Sequence, residues 1–206
     1  EDFIYFLPVV AAAWSKFFPK VELEVAFVTD RFNSDPLVTR MRRYAKVTTF
    51  SKIPGIPTGN LAKVSRFVLA SRRKDVSMIE DVDTIPLQKA FFKKKTSKKS
   101  HGKLLAVGAE VLVGTPHEGK FPISTMTANG KVFGEVINPK RLSWFGLINS
   151  WKGIRIFDQK EDVSNSPQNF SDESLIRALI RRWDKAGTKV IHIPRSADIS
   201  SEWIDR

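Results

Sequence analysis

Two aspartates one residue apart, Asp81 and Asp83, follow the short β-prone run Val76-Ser77-Met78-Ile79, with Glu80 between. Ionised carboxylates at that spacing repel one another. Where the chain bends, both turn into one space, and a hard divalent cation relieves the repulsion: Mn²⁺ and Mg²⁺ prefer oxygen ligands and bridge carboxylates to phosphates. The chemistry such a pair serves is the handling of a phosphate-bearing substrate. A solvated acidic turn carries the same pattern, so placement in the fold must separate the two readings. Glu80 is open in the same way, as a ligand or as a solvated neighbour. Ahead of the motif, Lys63 and Arg66 lie three apart and therefore side by side on a helical surface. His192 sits in the apolar run Val190-Ile191-His192-Ile193-Pro194, where histidine is ordinarily a satisfied core residue.

The elements that must position these groups alternate. Pro8 suits the start of a buried helix through Val9-Val10-Ala11-Ala12-Ala13-Trp14 that stops before Pro19. Val21 to Val28 alternates with period two and reads as a strand ending at Asp30. Ser34-Asp35-Pro36 caps a helix bearing Leu37, Met41 and Tyr44, and Val47-Thr48-Thr49-Phe50 is β-branched and strand-like. After Pro54, Gly55, Pro57 and Gly59, a helix from about Asn60 to Arg72 places Leu61, Val64, Phe67 and Val68 on one face, with Thr58 or Asn60 as its cap. This order predicts an α/β domain with a mainly parallel central sheet flanked by helices. In such sheets ligands bind at the carboxyl ends of the strands, where Asp30 and Asp81-Val82-Asp83 both fall.

The later half is less regular. Leu104-Leu105-Ala106-Val107 and Glu110-Val111-Leu112-Val113 read as strands, and the Gly-, Asn- and Pro-rich middle around Trp144 and Trp151 as short strands and loops. Ser171 can cap a helix carrying Leu175, Leu179, Ile180 and Trp183 that ends at Gly187, and a last strand covers Lys189 to Ile193. One domain over 1–206 is expected: a nucleotide-sugar-binding half (1–92), a Lys-rich loop (93–103) and an acceptor- and metal-completing half (104–206).

The 206 residues suffice for one sizeable core, and the absence of cysteine leaves no disulfide or thiolate site. No apolar run approaches the roughly 20 residues of a membrane span. The opening residues Glu1 to Tyr5 lack the pattern of a signal peptide, so a cytoplasmic location is expected. The net charge of +12 suits an anionic partner. Much of it lies in Lys93, Lys94, Lys95, Lys98, Lys99 and Lys103, which read either as a solvated loop or as a lid or polyanion contact.

The stretch Leu61-Ala62-Lys63-Val64-Ser65-Arg66-Phe67, with Lys74 to Pro86, resembles the donor-site segment of GT-A glycosyltransferases, particularly the retaining glycogenin-like and galactosyltransferase-like groups. Whole-chain similarity also suggests a glycosyltransferase domain of a large algal virus. The resemblance implies that Asp81 and Asp83 hold Mn²⁺, or Mg²⁺, against the diphosphate of a UDP-sugar, and that Lys63 and Arg66 reach the nucleotide sugar. Asp2-Phe3-Ile4-Tyr5 resembles the segment after the family's first strand, which implies a uracil contact for Tyr5, and Asp30 matches an acidic residue of the family that binds the uracil edge. Thr127-Ala128-Asn129-Gly130 resembles an Asn-x-Gly donor contact, with a plain turn as the other reading of Asn129. Phe170 to Leu175 resembles the acidic segment beside the transferring sugar, implying catalytic roles for Asp172 and Glu173, although acidic residues also favour a helix N-terminus on electrostatic grounds alone. The family's metal-binding histidine on a late strand matches His192, which would complete the metal site with Asp81 and Asp83.

The implied function is transfer of a hexosyl group from a UDP-sugar to a hydroxyl of a carbohydrate acceptor, with retention at the anomeric carbon. Trp144, Trp151 and Lys152 are candidates for an acceptor cleft, with core packing as the alternative for the tryptophans. A nucleotidyltransferase would use similar carboxylates, but such enzymes commonly carry a Gly-rich phosphate loop near the start, which this sequence lacks. A nucleic-acid-binding module rests on the lysines and aromatics alone.

Overall fold

A computed structural model describes residues 2–86, 102–108, 125–151 and 172–193. The strand expected at Glu110 to Val113, most of the Lys-rich loop, the capping Ser171 and Lys152 lie outside the described residues. Within them the protein is mixed α/β. A 3-10 turn, Asp2–Phe6, leads into α1 (Leu7–Phe17), followed by β1 (Glu24–Val28), α2 (Pro36–Met41), β2 (Lys46–Phe50), α3 (Thr58–Ser71) and β3 (Val76–Glu80). Then come β4 (Leu104–Val107), β5 (Thr125–Asn129), α4 (Gly130–Ile137), α5 (Trp144–Trp151), α6 (Asp172–Trp183) and β6 (Val190–Ile193).

Among the described residues the strands form two sheets rather than one. β1 and β2 pair in parallel, and the other four are ordered β3-β5-β4-β6. β5 is antiparallel to both its neighbours and β4 is parallel to β6, so β3, β4 and β6 run one way and β5 the other. The two sheets nevertheless share their layers. Alternation along β1 turns Ala26 and Val28 toward the large cluster containing Phe67 of α3, and Val25 and Phe27 toward Leu7 of α1 and Met41 of α2. β3 divides in the same sense, with Ile79 in the large cluster and Met78 against Val10 and Trp14 of α1. Among the described residues, β1 has no partner on its edge away from β2, and β3 none on its edge away from β5.

α3 is the central strut. Leu61, Val64, Phe67 and Val68 are all buried, as their helical spacing predicts, and burying a side chain the size of Phe67 contributes about 1.5–3 kcal/mol. Its N-cap is Pro57, without a side-chain bond; Thr58 already lies inside the helix, so neither Thr58 nor Asn60 acts as the cap. α1 is buried along one stripe only, through Leu7, Val10 and Trp14, whereas Val9 faces solvent. α2 begins as expected, its first turn capped by Asp35, which accepts from the Leu37 N–H (3.0 Å).

The middle region departs from the expectation of strands and loops, because α4 and α5 are helices. Val132, Phe133, Val136 and Ile137 form a buried helical stripe that the flanking glycines conceal in the sequence. Gly130 has a packing reason: a Cβ there would lie 1.5 Å from the Arg73 carbonyl oxygen, so the start of α4 sits directly on the backbone just past α3. Trp151 is 2% exposed, and Trp144 packs on Phe50 with ring centroids 4.8 Å apart while donating to the Ser51 carbonyl (2.9 Å). Both tryptophans are packed in the core, and Trp151 also lines a cavity of about 460 Å³ with Leu147, Leu179 and Trp183. No helix among the described residues is long and apolar enough to cross a membrane.

Candidate functional site

Beyond the last residue of β3 the chain turns at once. The Thr84 N–H donates to the Asp81 carbonyl (3.0 Å), closing a tight turn with Val82 and Asp83 at its centre. The indole N–H of Trp14 donates to the Thr84 carbonyl (3.3 Å), tying this turn to α1 across 70 positions of chain. Asp81 and Asp83 are both exposed there. Glu80 points elsewhere: its carboxylate accepts from the Thr125 hydroxyl (3.0 Å) on the neighbouring strand.

Arg66 reaches the turn from α3. One terminal nitrogen, Nη1, donates to Asp81 Oδ1 and lies 3.5 Å from the Glu80 carbonyl oxygen, while Nη2 lies 3.4 Å from Asp172 Oδ2. Lys63, one turn earlier on the same helix, stands 3.9 Å from Asp172 Oδ1. Asp172 opens α6 and is buried, so it carries its charge out of bulk water with two cations beside it. Such a carboxylate is retained only when it is paired, which makes the cluster a built arrangement. Glu173 follows in the same first turn, partly buried. Three segments distant in sequence thus converge on one locus of two cations and two carboxylates at the carboxyl end of β3.

The other candidates lie apart. Asn129 closes β5 opposite Val76, the first residue of β3, so it is at the far end of the sheet from Asp81. Its side-chain oxygen accepts from the Val132 N–H (2.9 Å) and caps α4. The structure therefore gives Asn129 the turn-and-cap role and does not bring it to the carboxylates, because the antiparallel run of β5 reverses its direction. His192 lies in the sheet row Ile79, Met126, Ala106, His192, which crosses all four strands. Three strand spacings separate it from Ile79, about 14 Å. It is exposed on the outer strand rather than packed in the core, and the structure does not bring it to Asp81.

Tyr5 is 67% exposed, with the Arg40 guanidinium 5.3 Å from its ring centroid. Asp30, also exposed, follows β1 and accepts from the Lys52 N–H (2.9 Å) just beyond β2, at the carboxyl end of that parallel pair. His101 and His117, to which no role attaches, lie outside the described residues.

No group of three His, Asp or Glu side chains among the described residues stands close enough together to hold a metal ion. Asp81 and Asp83 alone still suit one class of cation. They are an exposed, all-oxygen pair on one tight turn, and Mg²⁺-like ions are commonly bound by one or two carboxylates, with water and substrate phosphates completing the shell. Comparison of the chain with family models, curated proteins and solved structures finds no match.

Proposed function

We propose that the protein is a glycosyltransferase with a GT-A-like single domain, moving a hexosyl group from a UDP-sugar to a carbohydrate hydroxyl with the help of Mn²⁺ or Mg²⁺. The observation that carries this reading is the convergence of Lys63, Arg66, Asp81 and Asp172. They come from three separate stretches of sequence, and 106 positions separate Arg66 from Asp172, which now touch.

The residue roles follow from charge and placement. Asp81 and Asp83 would hold the cation, which supplies Lewis-acid neutralisation of the departing diphosphate. Lys63 and Arg66 clamp the same diphosphate from α3, the Arg by its planar fork and the Lys as a point charge. Asp172, with Glu173 beside it, stabilises the positive charge that develops on the sugar as its bond to phosphate lengthens. Tyr5 and Asp30 receive the uracil. Calorimetric titration with a panel of nucleotide sugars, with and without Mn²⁺, tests the proposal: Mn²⁺-dependent affinity for UDP-sugars is expected, and a salt-dependent nucleic-acid affinity without it would replace the reading. Proton NMR of early product reads the anomeric configuration, retained on this proposal.

A further inference from the structure

Arg66 holds Asp81 and Asp172 at the same time, and this occupies the very carboxylate that a cation would need. The guanidinium is only partly exposed, and its Nε–H is buried with no hydrogen-bond partner among the described residues. A buried donor left unused is costly, so the two ion pairs do not by themselves satisfy the guanidinium. An arginine fork has five donors and matches phosphate oxygens as well as carboxylates, so a diphosphate can compete for it on equal terms.

Resting on the function proposed above, we infer that Arg66 is a displaceable counter-ion of Asp81, which couples metal binding to nucleotide binding. Without ligand, the guanidinium neutralises Asp81 and repels a divalent cation from it. When a diphosphate arrives, Arg66 turns its donors to the phosphate oxygens, Asp81 is released to the cation, and the Nε–H gains an acceptor. Asp172 is the fixed pivot: it lies at the buried start of α6 and keeps the guanidinium close throughout. Each ligand therefore strengthens the other beyond their direct contact, as linkage between two sites requires.

The experiment measures Mn²⁺ affinity by calorimetry for wild type and Arg66→Gln, first with no nucleotide and then with saturating UDP. Removing the competing cation is expected to tighten Mn²⁺ binding in the absence of UDP by about threefold, the scale of a partly exposed ion pair. The enhancement of Mn²⁺ affinity by UDP should shrink by at least the same factor. Should Arg66→Gln not fold, Arg66→Lys is measured instead; its single ammonium bridges two carboxylates less well, so a smaller tightening is expected. A folded variant with unchanged or weaker Mn²⁺ affinity in the absence of UDP overturns the inference. Wild-type protein that binds neither Mn²⁺ nor UDP overturns the proposed function instead.

Discussion

Arg66 and Asp172 meet across 106 positions of sequence, Nη2 to Oδ2 at 3.4 Å, and this contact joins the helix before the Asp-Val-Asp turn to the start of α6. The carboxylate is buried between Arg66 and Lys63, so its charge has a fixed direction. Asp172→Asn preserves the shape and removes the charge. On the proposed function, hexosyl transfer is expected to fall by roughly 100-fold or more, the scale of losing one preorganised electrostatic group, while UDP affinity changes little. Steady-state transfer rates alongside UDP titration check this, and an unchanged rate would leave Asp172 as a structural anchor.

Asp83 makes no hydrogen bond or ion pair with the described residues and is exposed. Asp83→Ala should therefore change stability by no more than about 0.5 kcal/mol. It should also abolish the Mn²⁺ dependence of UDP-sugar binding. Circular dichroism melting reads the first and calorimetry the second; full Mn²⁺-dependent binding in the variant would remove the carboxylate pair from the site.

His192 tests the sequence expectation against the sheet. An ion ligated by imidazole sits about 2.0–2.2 Å from the nitrogen, and neither side chain spans the three strand spacings between His192 and β3. His192→Ala is accordingly expected to leave Mn²⁺ affinity within twofold of wild type. A loss of tenfold or more would show that bound ligand draws β6 toward the turn.

Asp184, which follows α6, accepts from the Thr188 N–H (2.9 Å), the Lys189 N–H (2.8 Å) and the Val190 N–H (3.0 Å), fastening the helix to β6. Burial alone would raise its pKa, but the backbone donors of Lys189, Thr188 and Val190, with the charge of Lys189, outweigh it and hold the carboxyl below its ordinary 3.8. A folded-state pKa below the unfolded one contributes stability that is fully present above about pH 4 and is lost as pH falls through the lower value. Asp184→Asn should lower the melting temperature at neutral pH and flatten the acid limb of stability against pH. Identical acid limbs would assign that limb to other carboxylates.

Gly130→Ala places a methyl group into the Arg73 carbonyl, and the atoms it meets are backbone. Destabilisation of about 1–3 kcal/mol, or more, is expected from overpacking. Chemical denaturation measures it, and a neutral result would mean that α3 and α4 separate easily.

Local pattern alone determined much of this protein. Period-two alternation located β1, helical spacing of Leu61, Val64, Phe67 and Val68 located α3, and Asp35 before Pro36 marked the start of α2, because these signals depend on residues within a turn or two of one another. The residue types of Lys63, Arg66, Asp81 and Asp172 were legible for the same reason. The tryptophans and α4 were less legible: Gly130 looks like a turn until the Arg73 carbonyl is seen against it, and Trp144 looks like a cleft wall until Phe50 covers it. Strand order was beyond any local signal. The direction of β5 moved Asn129 to the opposite end of the sheet from Asp81, and the order β3-β5-β4-β6 put three strand spacings between His192 and β3. Pairing between strands is a choice among distant segments, made by the burial of both sheet faces at once. Only the folded chain could decide which charged residues share a site.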